Sequence, residues 1–149
     1  MIKVSKYLKT DLVLFLDVKT QEEVFSALVD KLDKAGKLKD KKLFYQAVLD
    51  REKIVSTGIG MGVAIPHAKL PDYDDFVIAI AILQKGIDWH ALDGSPVRLV
   101  FMIGGPDDKQ TEYLQILSGL TNAVKDEIRR KKMLTLNSSS AIIELFESF

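Results

Sequence analysis

The chain has 149 residues, 47% hydrophobic and 28% charged, which suits one domain with a sizeable core, and we predict a single domain over residues 1–149. Its 21 basic and 21 acidic residues leave no net charge, which argues against a general attraction to nucleic acid or to an anionic membrane. Cysteine is absent, which excludes disulfides and thiolate chemistry and is compatible with the cytoplasm, where we expect the protein to act.

No apolar run in the sequence is long enough to predict a membrane span. The longest, residues 76–83, has eight residues, whereas a spanning helix needs roughly 18 or more. Near the N-terminus, the apolar residues 12–16 are too few for the core of a signal peptide. We therefore expect no direct membrane insertion.

The first third of the chain begins with a predicted strand and an amphipathic helix. Residues 12–18, which are apolar apart from Asp17, indicate a short strand or extended segment. Thr20 and Glu23 have the spacing of a capping box, and apolar residues then recur at helical spacing until Gly36 offers a stop. These signals predict a helix over residues 21–35.

A second predicted helix ends in two charged residues beside its apolar stripe. Asp40 caps its start, and Phe44 and Val48 mark the stripe. Arg51 follows Val48 by three residues and Glu52 by four, so both charges fall on or beside the buried face. Arg51 is either a cation that stabilises the helix C-terminus or a fork of donors for phosphate oxygens. For Glu52, a role in the site and a helix-end ion pair stay equally open.

A glycine-rich stretch follows and leads to a histidine. Gly58 and Gly60, with a third glycine two residues later, permit positive φ and close approach to the backbone. The apolar residues 63–65 are typical of a buried strand, and Pro66 cannot donate a ladder hydrogen bond. We therefore predict that the strand stops at Pro66 and gives way to a loop at His67. From spacing alone, His67 is either a structural histidine or a reactive one facing a cleft.

The remainder of the chain predicts two buried strands and three helices. Residues 76–83, which we place centrally, and residues 97–103 are apolar on both alternating faces. The glycines at 104–105 are predicted to break the second strand and to lead into a helix whose apolar stripe begins at Tyr113. A short basic helix over residues 126–133 and a closing amphipathic helix complete the prediction.

One spaced pattern resembles a known active-site signature. Glu52, six residues, Ile59-Gly60, two residues and the run Val63-Ala64-Ile65-Pro66-His67-Ala68 resemble enzyme IIA of the fructose/mannitol class of the bacterial phosphoenolpyruvate-dependent sugar phosphotransferase system. That class includes nitrogen-regulatory IIA proteins. The resemblance covers most of the chain and implies a three-layer α/β/α sandwich, with a small mixed sheet flanked by helices.

The resemblance also implies a phosphocarrier function for His67. This residue would accept a phosphoryl group from the phosphohistidine of a small histidine-containing phosphocarrier protein. It would pass the group to the IIB domain of a sugar permease, or signal to a regulatory target protein by its phosphorylation state. The sequence does not decide between the sugar-transport and nitrogen-regulatory branches, nor name the sugar.

Around His67 we predict a set of groups that hold the phosphoryl oxygens. Guanidinium, hydroxyl and backbone N–H groups suit the equatorial oxygens of the transition state. Many family members have a second active-site histidine where this chain has Tyr113, which can donate a hydrogen bond but is not a cation at neutral pH. The alternative for Tyr113 is the first residue of a core stripe. The predicted supporting residues are Arg51, Glu52, Ser56, Thr57, Gly58, Gly60 and Tyr113.

No cofactor, metal or nucleic acid is predicted as a ligand. The glycine pattern is neither a Walker A loop nor a dinucleotide fingerprint, and His67 and His90 alone offer no metal-ligand spacing. The basic run at residues 129–132 lacks interleaved aromatic residues and reads as a solvated helix end.

Two rival functions stay open at this point. One is a non-catalytic regulatory module that docks on a target protein, and the neutral side chain of Tyr113 motivates it. The other is a hydrolase with His67 as general base, which is disfavoured because no serine or cysteine nucleophile stands in a supporting motif.

Overall fold

The computed structural model describes residues 2–149, and within them a mixed β-sheet of six strands runs through the centre of the fold. The strands are β1 (Val13–Leu16), β2 (Gly58–Gly60), β3 (Val63–Ala64), β4 (His67–Leu70), β5 (Val77–Ile87) and β6 (Val97–Pro106). Their order is β1-β5-β6-β3-β2, and β4 also pairs with β6. The pairs β1/β5, β3/β6 and β4/β6 are parallel, whereas β5/β6 and β2/β3 are antiparallel.

Helices cover both faces of this sheet. They are α1 (Gln21–Lys34), α2 (Lys41–Ile54), α3 (Gln110–Val124), α4 (Glu127–Thr135) and α5 (Ser139–Glu144), with short 3₁₀ turns at Val4–Tyr7 and Thr10–Leu12. Apolar residues of α1 and α2 share one core cluster, and those of α3, α4 and α5 share the other. The predicted three-layer α/β/α sandwich with a mixed sheet is confirmed.

The alternation of side chains along β5 separates the two cores. Its isoleucines face α3, α4 and α5, whereas its small alanines and one leucine face α1 and α2. The two sets are Ile78, Ile80 and Ile82, and Ala79, Ala81 and Leu83. Because both faces are covered, residues 77–83 are apolar throughout, as the sequence predicted, and the strand extends four residues further, through the exposed residues 84–86 to Ile87.

The first two helices begin at the predicted caps. The Thr20 side chain accepts from the Glu23 N–H, and the Asp40 side chain accepts from the Leu43 N–H. After α1, Gly36 has a φ of 74°, which closes the helix end with little strain. The caps fix where α2 starts, and its length then carries Arg51 and Glu52 to the sheet edge.

The predicted break at Gly104 and Gly105 is wrong, because β6 continues through both to Pro106. A Cβ at Gly104 would lie 2.7 Å from the Phe44 ring, and one at Gly105 would collide with the Phe76 ring. The two glycines therefore let an aromatic ring approach the sheet closely on each face. They interrupt the apolar pattern without interrupting the strand.

Candidate active site

His67 is the first residue of β4, so the prediction that it lies where a strand gives way to a loop is wrong. β3 and β4 keep the same register against β6, since Ala64 pairs with Val100 and His67 pairs with Ile103. Pro66 removes one ladder donor and divides the two assigned strands, but its carbonyl still accepts from the Ile103 N–H at 2.9 Å. His67 is thus fixed by strand pairing on both sides of the proline.

The ring of His67 is half-buried against α3. Side chains alternate along a strand, so Ile65, His67 and Lys69 point to the same side. On that side the His67 and Tyr113 rings pack with their centroids 5.3 Å apart. The structure therefore brings together two residues that the sequence separates by more than forty positions.

One ring nitrogen of His67 is engaged by its own strand. Nδ1 lies 3.2 Å from the carbonyl oxygen of Ile65. A carbonyl oxygen only accepts, so this hydrogen bond places the proton on Nδ1 and leaves the lone pair on Nε2. Nε2 is therefore the nucleophilic nitrogen of the neutral ring.

The environment of His67 favours its neutral form. Burial lowers its pKa below the ordinary value of 6.5, and the positive charges of Arg51 and Lys69 lower the pKa further. The hydrogen bond to the Ile65 carbonyl opposes these effects by favouring the protonated ring. The net result is a histidine whose nucleophilic form persists at pH values where a solvated histidine is already protonated.

We expect the NMR titration of His67 to have its midpoint below pH 6.5. Between that midpoint and pH 6.5 the unfolded chain binds more protons than the folded one. The contribution of His67 to folding stability is therefore complete above pH 6.5 and is lost as the pH falls through this window. Side-chain ¹⁵N shifts would give the midpoint, and urea unfolding would give the stability. A midpoint at or above 6.5 would contradict the argument.

Arg51 approaches His67 from the end of α2. The chain that follows α2 enters the sheet at the edge strand β2, where Gly58 pairs with Ala64 of β3, and the charge of Arg51 is near enough to His67 to lower its pKa. Nη1 of Arg51 donates to the Val55 carbonyl oxygen at 3.0 Å, which holds the guanidinium at this edge. Within residues 2–149 its other N–H groups make no hydrogen bond, so they are available to an anion in front of the histidine.

Glu52 and Thr57 form a network behind the site. The Glu52 carboxylate accepts from the Thr57 N–H at 2.7 Å and from the Thr57 hydroxyl at 2.5 Å. Thr57 Oγ1 in turn accepts from Nε1 of the buried Trp89 at 3.2 Å, and its carbonyl accepts from the Ile65 N–H at 3.0 Å. These bonds anchor the backbone that leads to His67.

The other predicted supporting residues contact the loop after β5. The Ser56 hydroxyl donates to the Trp89 carbonyl at 2.6 Å and accepts from the Gly58 N–H at 3.1 Å. Gly58 and Gly60 lie so close to residues 88–95 that a Cβ at Gly58 would be 2.8 Å from a side-chain carbon of that loop. Their contacts are those of a support for the site, and donation to a phosphoryl group from this segment stays a prediction.

Tyr113 forms an uncharged wall of the site. It is buried between the rings of His67 and Phe76, and its centroid is 6.1 Å from that of Phe76. Burial raises the pKa of Tyr113 to about 12, although the charge of Arg51 opposes the shift. Its phenol therefore stays protonated and neutral at physiological pH, and it can donate a hydrogen bond but not a positive charge.

Lys69 is the site residue that the sequence reasoning missed. Its Nζ lies 4.1 Å from the Tyr113 ring centroid and donates to Oε1 of Gln110 at 2.7 Å. The signal was present, because residues two apart on a strand share a face. A loop was predicted after His67, and two residues that are two positions apart in a loop need not share a face. The spacing of His67 and Lys69 therefore did not predict that they lie together.

No group of three histidine, aspartate or glutamate side chains within residues 2–149 is arranged to hold a metal ion. Over the same range, no helix combines the length and the apolar character needed to cross a membrane.

The fold and the site combine an α/β sandwich with a histidine whose neutral form is favoured and which lies near two cations. The family model for the phosphoenolpyruvate-dependent sugar phosphotransferase system, EIIA 2, matches residues 6–149, and the chain belongs to this family. The resemblance read from the signature is thereby confirmed, and with it a broad phosphotransfer role as a phosphocarrier.

Relatives come from both branches that the sequence left open. The chain is 39% identical over 145 residues to the fructose-specific EIIABC component of Bacillus subtilis, covering 97% of this chain and 23% of that protein. It is 33% identical over 118 residues to a nitrogen regulatory protein of Bradyrhizobium diazoefficiens, covering 78% of this chain and 77% of that one. The chain thus spans about a quarter of the first relative and most of the second.

Solved structures share the fold over nearly the whole chain. The nitrogen regulatory protein IIA-Ntr of Neisseria meningitidis is 26% identical, with a TM-score of 0.89 over 96% of this chain and 98% of that one. Enzyme IIA-Mtl of Escherichia coli, solved in complex with phosphorylated IIB-Mtl, is 23% identical, with a TM-score of 0.80 over 95% and 98%.

Proposed function

We propose that this chain carries a phosphoryl group on Nε2 of His67, taking it from the phosphohistidine of a histidine-containing phosphocarrier protein. The observation that carries the proposal is the state of the His67 ring. Its Nδ1 proton is committed to the Ile65 carbonyl, its neutral form is favoured, and Arg51 lies at the same edge. These are the requirements for an imidazole nucleophile that meets an anion.

The transfer step is an in-line displacement at phosphorus. The Nε2 lone pair of His67 forms the new N–P bond while the donor N–P bond breaks, and the donor histidine, protonated on its other ring nitrogen, leaves with that electron pair as a neutral imidazole. The phosphorylated ring of His67 carries a positive charge, which the bond from Nδ1–H to the Ile65 carbonyl stabilises. Arg51 meets the negative charge on the phosphoryl oxygens.

For the onward step we propose the IIB domain of a sugar permease as acceptor. Support comes from the 39% identity to a fructose-specific component whose name joins A, B and C units. The nitrogen-regulatory relatives support a second candidate, a regulatory target protein that responds to the phosphorylation state. Transfer from labelled His67 to a purified fructose IIB domain separates the two candidates.

The test of the proposal is phosphorylation of the purified chain. It is incubated with phosphoenolpyruvate, enzyme I and the small phosphocarrier protein, and intact mass is measured before and after brief acid treatment. We expect one phosphoryl adduct that acid removes, as an N–P bond requires. No adduct would contradict the proposal and favour a docking module that does not turn over.

We expect Arg51→Ala to be phosphorylated roughly 100-fold more slowly than the wild type, because it removes a charged donor from the transition state. Arg51→Lys keeps the charge without the fork of donors and should fall between the two. Initial rates of adduct formation measure the effect, and circular dichroism checks that the fold is retained. An unchanged rate for Arg51→Ala would leave Arg51 as a stabiliser of the α2 C-terminus.

A further inference from the structure

We propose that Lys69 is the second cation of the phosphoryl site and that Tyr113 and Gln110 hold its ammonium group beside His67. The inference rests on the proposed function of His67 and adds a residue that contacts the phosphoryl oxygens. It begins from strand geometry, because His67 and Lys69 are two residues apart on β4 and therefore share a face.

The side chains of His67 and Lys69 both contact the ring of Tyr113. The His67 ring packs on Tyr113 at 5.3 Å between centroids, and the Lys69 Nζ lies 4.1 Å from the same centroid. An ammonium near the face of a tyrosine ring is attracted by the ring quadrupole. The hydrogen bond from Nζ to Gln110 Oε1 at 2.7 Å fixes the ammonium from a second direction. Lys69 is thus held in place, although a surface lysine is ordinarily mobile.

The ammonium of Lys69 retains capacity for an anion. It has three N–H donors and gives one of them to Gln110. Among the ion pairs within residues 2–149, none involves Lys69 or Arg51, whereas Lys34 and Lys41 both pair with Asp30. The site therefore has two cations without carboxylate partners, and both are near enough to one imidazole to lower its pKa.

A phosphoryl group on His67 needs this second charge. The group carries up to two negative charges, and Arg51 supplies one positive charge. Tyr113 contributes none, and the Glu52 carboxylate is turned to Thr57. The positive charge of Lys69 acts on the His67 ring. It lowers the pKa of His67, although less than burial and Arg51 do.

The packing beneath Tyr113 keeps this platform rigid. Gly105 is the residue of β6 that pairs with Lys69, and a Cβ there would collide with the Phe76 ring. Because Gly105 has no side chain, Phe76 lies against the strand and packs on Tyr113 at 6.1 Å between centroids. The order of contacts is therefore Gly105, Phe76, Tyr113 and then the Lys69 ammonium.

The test compares Lys69→Met, which removes the charge but keeps most of the length, with Lys69→Arg, which keeps the charge. We expect Lys69→Met to lower kcat for phosphorylation about 10- to 100-fold with little change in KM for the small carrier protein. Lys69→Arg should retain most of the rate. The control is Lys37→Met, an equal change of charge at an exposed lysine beyond α1, which should match the wild type.

The outcomes separate this inference from the proposed function. If the wild type forms the adduct and Lys69→Met forms it with unchanged kcat, or with a raised KM alone, Lys69 is not a phosphoryl ligand and the carrier function stands. Failure of the wild type to form an adduct overturns the carrier function itself. An NMR titration gives a readout that needs no partner: the His67 midpoint should rise in Lys69→Met and stay unchanged in Lys37→Met. An unchanged midpoint in Lys69→Met would show that its charge does not reach the ring, and would overturn the inference.

Discussion

Replacing His67 with asparagine is expected to abolish phosphorylation, whereas the same replacement at His90 leaves the rate unchanged. These are the two histidines of the sequence, so the pair tests every imidazole in the chain. The asparagine amide at position 67 can replace Nδ1–H as a donor to the Ile65 carbonyl, but it has no nucleophilic lone pair where Nε2 stood. The loss would therefore be chemical, with little cost in stability.

His90 lacks each feature that makes His67 a candidate. Its side chain is 86% exposed, and its nearest charged group is the Asp88 carboxylate, 3.7 Å from Nδ1, which would repel a phosphoryl group. Its backbone has a φ of 55°, a conformation that asparagine tolerates well, so the control variant should keep the turn.

Phosphorylation kinetics and acid stability of the adduct together check this prediction. An acid-labile adduct on His67→Asn, or its loss from His90→Asn, would contradict the assignment of the nucleophile. An adduct that survives acid would be a phosphate ester on a hydroxyl group and would point to different chemistry.

The strands and caps of the fold were predictable because their causes are local. Residues 76–83 are apolar on both faces because helices cover both faces, and α1 and α2 begin at side chains that cap them. The glycines at 104–105 were misread because their cause is not local. The rings of Phe44 and Phe76, which are distant in the sequence, pack against these glycines, and no residue near the glycines predicts that packing.

In the glycine-rich stretch, too, some features have local causes and others depend on distant residues. Met61 and Gly62 both have positive φ, 61° and 76°, and form the tight turn of a β2–β3 hairpin. The glycine pattern predicts a backbone that can adopt positive φ, but it does not distinguish a turn that joins two strands from a loop that surrounds a ligand. Thr57 donates two hydrogen bonds to Glu52 and accepts one from Trp89, which is 32 positions away, so their arrangement could be seen only in the fold.

Replacing Glu52 with alanine is expected to destabilise the fold by about 2–4 kcal/mol and to slow phosphorylation as a consequence. The change leaves the buried Thr57 N–H and hydroxyl without their charged acceptor, and each such loss costs about 1–3 kcal/mol, less whatever water recovers. Thr57 also receives the indole N–H of Trp89 and holds Ile65 next to the histidine strand. A loosened Thr57 therefore weakens both the loop after β5 and the position of His67.

Urea unfolding and the emission of Trp89, the single tryptophan of the chain, check the role of Glu52 directly. In Glu52→Ala the emission should shift to the red, because the loosened Thr57 lets water reach the indole, and Tm should fall by roughly 10 °C. Glu52→Gln keeps one acceptor oxygen and should lie between the alanine variant and the wild type, and Lys53→Ala, its exposed neighbour, should change neither signal. If Glu52→Ala instead kept full stability and an unshifted emission but lost phosphorylation, Glu52 would act on the phosphoryl chemistry itself. The network with Thr57 and Trp89 would then contribute little to the fold.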